Sequence, residues 1–181
     1  MHILDFIPFI KHFHSLAYWF AFMAAMLETF IGIGLIIPGS TIIILLGGMA
    51  AEKNFDIGDL ICFVILGAII GDTINYFLGR KFGDKLSKKE DFFIKPSVLE
   101  KAKVFFKKYG GKSVFIGRFI PSLRETVPLI AGISNMEKKT FFLWNFLGAL
   151  CWGIILPFVG YYFNDYLKFS KLILTRSGIF I

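Results

Sequence analysis

The chain has 181 residues, a net charge of +7, a mean hydropathy of +0.68, and 56% hydrophobic and 18% aromatic residues. Its apolar residues lie in runs too long for a soluble core: Thr140 to Asn164 carries no charge over 25 residues, enough to cross about 30 Å of hydrocarbon at about 1.5 Å per residue. That excludes an ordinary soluble domain, and the basic residues, gathered on one connector with no recognisable reader motif, exclude a nucleic-acid-binding protein.

Residues 1–14, MHILDFIPFIKHFH, are aromatic-rich, weakly charged and broken by Pro8, which predicts an interfacial segment. Asp5 and His2 stand where a signal peptide is basic, and no small-residue cleavage site precedes Glu28, so this start is expected to be retained. From Ser15 to Ala51 the chain is apolar apart from Glu28. The stretch IGIGLIIPGS at 31–40 interrupts it. Pro38 removes a helical hydrogen bond and Gly39 permits a sharp reversal before Ser40, so two half-helices are expected to meet there as a re-entrant hairpin over 28–51. The alternative is one kinked span.

A transmembrane helix is predicted over 60–82, with Gly67 and Gly71 offering a close helix contact and Asp72 near its middle. A carboxylate at that depth calls for a partner, and Arg118 and Arg124 are the available cations. Of the 20 basic residues, 11 lie between Arg80 and Lys112, which places the segment 80–112 in the cytoplasm by the positive-inside rule. The linker from Glu52 to Asp59 is net acidic and belongs on the opposite side. Within the connector 87–112, Pro96-Ser97 followed by Glu100 reads as a helix start. Val98, Ala102, Phe105 and Tyr109 then share one face and the lysines the other, predicting an amphipathic helix on an anionic leaflet.

The next stretch, FIGRFIPSLRETVPLIAG at 115–132, sets Arg118, Arg124 and Glu125 in an apolar run punctuated by Pro121 and Pro128. Each charge at bilayer depth costs about 2.5–3.5 kcal/mol on insertion scales, so three of them need partners, water or a task. The prolines forbid one straight helix, and non-helical backbone at that depth survives only against protein or a water-filled cavity. A second re-entrant hairpin is therefore expected over 113–134, with Gly132 at its end, followed by a second transmembrane helix over 138–165 and a surface tail, 168–181. Tyr161, Tyr162 and Tyr166 suit the far interface.

Sliding the sequence by 81 residues aligns 66–86 with 147–167 at nine identities in 21 positions. The breaks at Pro38 and Pro121 coincide at an offset of 83. The expected architecture is an all-α integral membrane protein in one domain, 1–181. It is an inverted repeat of re-entrant helical hairpin plus transmembrane helix, 15–86 and 113–167, with N-terminal and central interfacial helices. Cofactors and metals are not expected: His12 and His14 point to different helix faces with no further ligand beside them, and Cys62 and Cys151 read as apolar packing residues.

Several of these residues together resemble the DedA family of bacterial membrane proteins, relatives of the VTT-domain proteins. They are Glu28 with Pro38-Gly39, Gly71-Asp72 with Tyr76 and Leu78-Gly79-Arg80, RFIPSLRETVPLIAG at 118–132, and Met136, Phe141, Asn145, Gly148-Ala149 and Trp152. The resemblance covers about 28–165. It implies opposed re-entrant hairpins in the bacterial cytoplasmic membrane and a flippase for a phosphate-bearing lipid, undecaprenyl phosphate or a phospholipid, driven by the proton motive force. By position, Arg118 and Arg124 correspond to the family's essential arginines and Glu28 to an essential acid. Ser40 stands where the family usually has a second acid.

On this reading Arg118 and Arg124 bind the lipid phosphate, since guanidinium forks match phosphate oxygens and keep their charge. Glu28 is the proton-responsive group, which competes for an arginine when ionised and releases it when protonated; Asp72 and Glu125 are further candidates. The bland reading pairs the arginines with Glu28, Asp72 and Glu125 to stabilise a hairpin. Two other classes stay open: a proton-coupled antiporter of small ions or drugs, and an intramembrane lipid-phosphate hydrolase, for which Ser122 and Thr126 are the nearby hydroxyls. The partners expected are membrane lipids and protons, and a homodimer is compatible with all of this.

Overall fold

The computed structural model describes residues 7–30, 38–53, 56–86, 96–121 and 123–176, with side-chain surroundings given within 15–82 and 103–164. The remainder of the first break (31–37), Ser122, the connector 87–95 and the two chain ends lie outside the described residues, as do the side chains of His12, His14, Ser97 and Glu100. The described residues are helices joined by turns, bends and short connections, with no strand among them.

Among the described residues seven helices follow in order: α1 Ile7–Thr29, α2 Gly39–Ala51, α3 Ile57–Leu86, α4 Pro96–Tyr109, α5 Lys112–Gly117, α6 Thr126–Ile133 and α7 Lys138–Arg176. Helix α1 does not break at Pro8; a proline in the first turn sacrifices no internal hydrogen bond, so residues 7–14 run straight into the apolar helix. Helix α7 likewise continues through 168–176, which the sequence reading assigned to a surface tail. Asp56 starts α3 as an N-cap, its Oδ1 accepting from the amides of Gly58 at 2.7 Å and Asp59 at 3.1 Å. Gly110, with φ of +54°, ends α4 in the left-handed conformation that glycine adopts freely.

Among the described residues two helices are long and apolar enough to cross a membrane, over Ile57–Phe82 and Lys138–Asn164. Only 33% of the most apolar stretch of each is buried, whereas the central helix of a soluble protein would be covered. Leu66, Ile70, Ile74 and Phe77 on α3 and Leu143, Phe146, Ile155 and Val159 on α7 stay exposed, forming apolar outer faces. The inner faces make two clusters. Ala21, Ala25, Ile43, Leu60, Val64, Ala68, Ala149 and Trp152 join α1, α2, α3 and α7; Tyr76, Val114, Leu123, Val127, Ile130 and Phe141 join α3, α5, α6 and α7. Phe105 and Phe106 of α4 pack on the second cluster, while Val104 and Tyr109 are exposed. The face of α4 expected to rest on lipid thus meets the protein in part.

Helix α2 packs mainly on α7 and α6 mainly on α3, so each short helix leans on the long helix of the other half. The two crossings match in detail. Gly79 lies against the Leu129 carbonyl and Gly132 against that of Tyr76; Gly160 lies against the Ile44 carbonyl and Gly47 against that of Pro157. A shift of 81 carries Tyr76 and Gly79 onto Pro157 and Gly160, and a shift of 85 carries Ile44 and Gly47 onto Leu129 and Gly132. Any Cβ at these glycines would strike backbone, so both crossings depend on small residues at the contact.

Candidate functional site

Both arginines lie at or beside the break between α5 and α6. Arg118 ends α5, and Arg124 sits in the tight turns that follow, where Leu123 N donates to Ile120 O at 2.9 Å and Arg124 N to the same carbonyl at 3.0 Å. Pro121 is exposed within these turns. Pro128 and Gly132, expected at hairpin turns, are instead helical members of α6: Pro128 occupies the first turn, where its missing amide costs nothing, and Gly132 serves the α3 crossing. Pro38 precedes α2, and Gly39 and Ser40 form its first turn.

The Arg118 side chain points into the bundle. Its Nη2 pairs with Oδ2 of Asp72 on α3 and donates to Oδ1 of Asn145 on α7 at 2.7 Å. Asn145 is itself held, since its Nδ2 donates to the Ile69 carbonyl of α3 at 3.3 Å. Arg118 is 4% exposed, Asp72 3% and Asn145 0%, so this cluster is sealed inside the protein. One turn along α3, Asn75 donates from Nδ2 to the carbonyl of Thr29 at 2.6 Å and closes the end of α1.

Arg124 makes the second pair. Its Nη1 donates to Oε1 of Glu28 on α1 at 2.6 Å and lies 3.3 Å from Oγ of Ser40 on α2, while the Ser40 hydroxyl donates to that same Glu28 oxygen. The guanidinium carbon stands 4.7 Å from the ring centre of Trp152 on α7, in cation–π range. Gly39 makes this closeness feasible: a Cβ there would meet Glu28 Oε2 at 2.5 Å and the Ala24 carbonyl at 2.6 Å.

The structure therefore brings together Glu28, Gly39, Ser40, Asp72, Arg118 and Arg124 from four separate segments. Glu125 is buried at the boundary of α6 but does not cap that helix, and Thr126 is buried behind it. Asn145 and Trp152 complete the site, although the sequence reading gave them no role. A clue existed for each: Asn145 is an amide inside an uncharged span, and Trp152 is the counterpart of Gly71 at the 81-residue shift, a bulky ring where the other half has nothing. Among the described residues no three His, Cys, Asp or Glu side chains come together to hold a metal ion.

Six buried polar atoms have no hydrogen-bond partner among the described residues: Nε and Nη1 of Arg118, Nε and Nη2 of Arg124, Oε2 of Glu28 and Oδ1 of Asp72. All six belong to the two ion pairs. Buried donors without acceptors are costly, about 1–3 kcal/mol each and more when charged. Four guanidinium nitrogens in this condition give the site an unmet capacity for anionic oxygen.

The VTT domain matches residues 37–162, which include all of α2, α3, α5 and α6 and the site-bearing part of α7. Protein DedA of Escherichia coli (strain K12) is 32% identical over 150 residues, covering 81% of this chain and 68% of that protein. An uncharacterized membrane protein of Mycobacterium tuberculosis (strain ATCC 25618 / H37Rv) is 33% identical over 160 residues, covering 83% and 70%. One from Buchnera aphidicola subsp. Baizongia pistaciae (strain Bp) is 29% identical over 191 residues, covering 97% and 74%. No solved structure matches the chain significantly. With the VTT domain spanning most of its length and relatives named as membrane proteins aligned along it, the chain belongs to the DedA family of VTT-domain membrane proteins.

Proposed function

We propose that this protein is a transporter that moves a phosphate-bearing lipid, undecaprenyl phosphate or a phospholipid, across the bacterial cytoplasmic membrane, and that Arg118 and Arg124 bind the phosphate. The observation that carries the reading is the set of four buried guanidinium nitrogens, two on each arginine, that have no acceptor among the described residues. A phosphate offers several oxygens to such donors and forms charge-assisted bonds about twice as strong as neutral ones. Arginine suits the depth because it stays charged where lysine gives up its proton.

In this mechanism Glu28 and the lipid phosphate compete for Arg124. Ionised Glu28 occupies Nη1, and a protonated Glu28 accepts less strongly and yields it to the phosphate. Ser40, bonded to both partners, takes the place beside Glu28 where the family usually carries a second acid. The matched glycine crossings support an inverted repeat whose two halves give access from alternate sides, with the basic segment 80–112 in the cytoplasm.

The test is the lipid that travels with the protein. Mass spectrometry of the purified chain should find a phosphate-bearing lipid in the parent and lose it in Arg118→Lys/Arg124→Lys. A lipid retained equally by both, or only lipids lacking a phosphate monoester or diester, would overturn the assignment.

A further inference from the structure

The two arginines are held in different ways, and the difference lies on one face of α7. Asn145, Gly148 and Trp152 follow one another at intervals of three and four residues, which is one stripe of a helix. Asn145 accepts from Arg118, and a Cβ on Gly148 would stand 3.3 Å from Arg118 Nε, so this end of the stripe is fitted to Arg118. Trp152, about one turn further, lies under Arg124. Arg118 is fixed by two side-chain acceptors, one of them tied to α3. Arg124 has a carboxylate, a hydroxyl bonded to that carboxylate, and the indole face.

We propose that Trp152 is a positioning residue: its indole holds the Arg124 guanidinium in the site while Glu28 is exchanged for an anionic oxygen of the ligand. The proposal rests on the phosphate-binding reading above. When Glu28 lets go, Ser40 loses its acceptor too, and the ring is the one contact of the three that does not change with the carboxylate. Trp152 can serve this way because it is only 5% exposed and is packed among the small and branched residues of the α1–α2–α3–α7 cluster, which fix its plane. A ring face attracts the guanidinium through its quadrupole without occupying any N–H, so it leaves Nε and Nη2 available for oxygen.

The test separates holding from mere packing. In a chain whose other tryptophans are replaced, Trp19→Phe and Trp144→Phe, Trp152 emission in phosphatidylcholine vesicles reports the cation above it. Arg124→Gln should shift that emission, and the shift should persist when Glu28→Gln is already present; an Arg124→Gln effect that vanishes with Glu28→Gln would show that the carboxylate alone holds the arginine and would overturn the proposal. This arm needs no transport, so it stands even if the lipid-phosphate reading fails. In the second arm, vesicles carrying a fluorescent phosphatidic acid are used for transport. Trp152→Leu should raise the half-saturating lipid about tenfold with turnover within about twofold, and Trp152→Phe, which keeps a ring face, should restore most of it. Equal behaviour of the Leu and Phe variants, or loss confined to turnover, would also overturn it, whereas a parent that moves no phosphatidic acid removes the functional reading and leaves the emission result to decide.

Discussion

Glu28 and Arg124 are 96 residues apart in the sequence and 2.6 Å apart in the structure, joined across the meeting point of α1, α2 and the α5–α6 turns. That pair ties the two halves of the chain to each other at the place where both are broken. If it is the element that protonation opens, Glu28→Gln should leave the fold intact and make transport independent of pH, fixed near the rate the parent shows in acid. Transport measured across a pH series in liposomes checks this: a parent that runs faster as pH falls and a variant with the same slope would disprove the role of Glu28.

The Arg118–Asp72 pair is sealed, and a sealed pair punishes the loss of one partner more than the loss of both. Arg118→Met or Asp72→Leu alone should lower stability by about 3–5 kcal/mol, because each leaves a bare charge in the core. The double variant should recover a substantial part of that while remaining inactive. Denaturant unfolding in detergent of the two singles and the double gives the coupling directly.

Asn145 connects Arg118 to α3, and Asn145→Leu removes its acceptor and its donor together. The half-buried Ile69 carbonyl, which keeps the Thr73 hydroxyl, and Arg118 Nη2, which keeps Asp72, each lose a contact, for an expected cost of about 1–3 kcal/mol. Apparent melting temperature with added lipid phosphate should rise less in this variant than in the parent, since Arg118 is no longer preset.

The matched crossings make a paired prediction. Gly132→Ala and Gly160→Ala each drive a methyl group onto a carbonyl of the opposite helix, so each should destabilise the protein by about 1–3 kcal/mol. Comparable losses at both positions are expected if the crossings are equivalent, and Gly110→Ala, which meets no atom within 4 Å, should differ by costing only backbone strain. Thermal unfolding of the three variants in detergent measures the comparison.

Much of this was legible in the residues. An uncharged run at 140–164, a run at 60–79 with Asp72 as its single charge, prolines inside apolar stretches and charges where lipid should be pointed to the long helices, the breaks and the residues Glu28, Asp72, Arg118 and Arg124. Which cation met which acid was not legible, because Asp72 could reach either arginine until the packing of α3 on α6 and α7 chose Arg118. The extent of α1 was missed because Pro8 reads as a breaker until its position in a first turn is known. Pro128 and Gly132 suit turns by residue type, yet a proline near a helix start and a glycine at a helix contact follow from neighbours remote in sequence. Trp152 enters only as one of the residues that carry the family resemblance, with no role; its partner lies 28 residues earlier and across a break, beyond the reach of any helical periodicity.

The most direct measurement is transport of a fluorescent phosphatidic acid across liposomes by the parent and by Arg118→Lys and Arg124→Lys, which keep the charge and remove the fork. Each replacement should cut the rate by about tenfold or more, with the protein still folded in the membrane, because charge-assisted bonds of about 1.5–3 kcal/mol are lost. Undiminished transport by both lysine variants would contradict phosphate binding by these arginines.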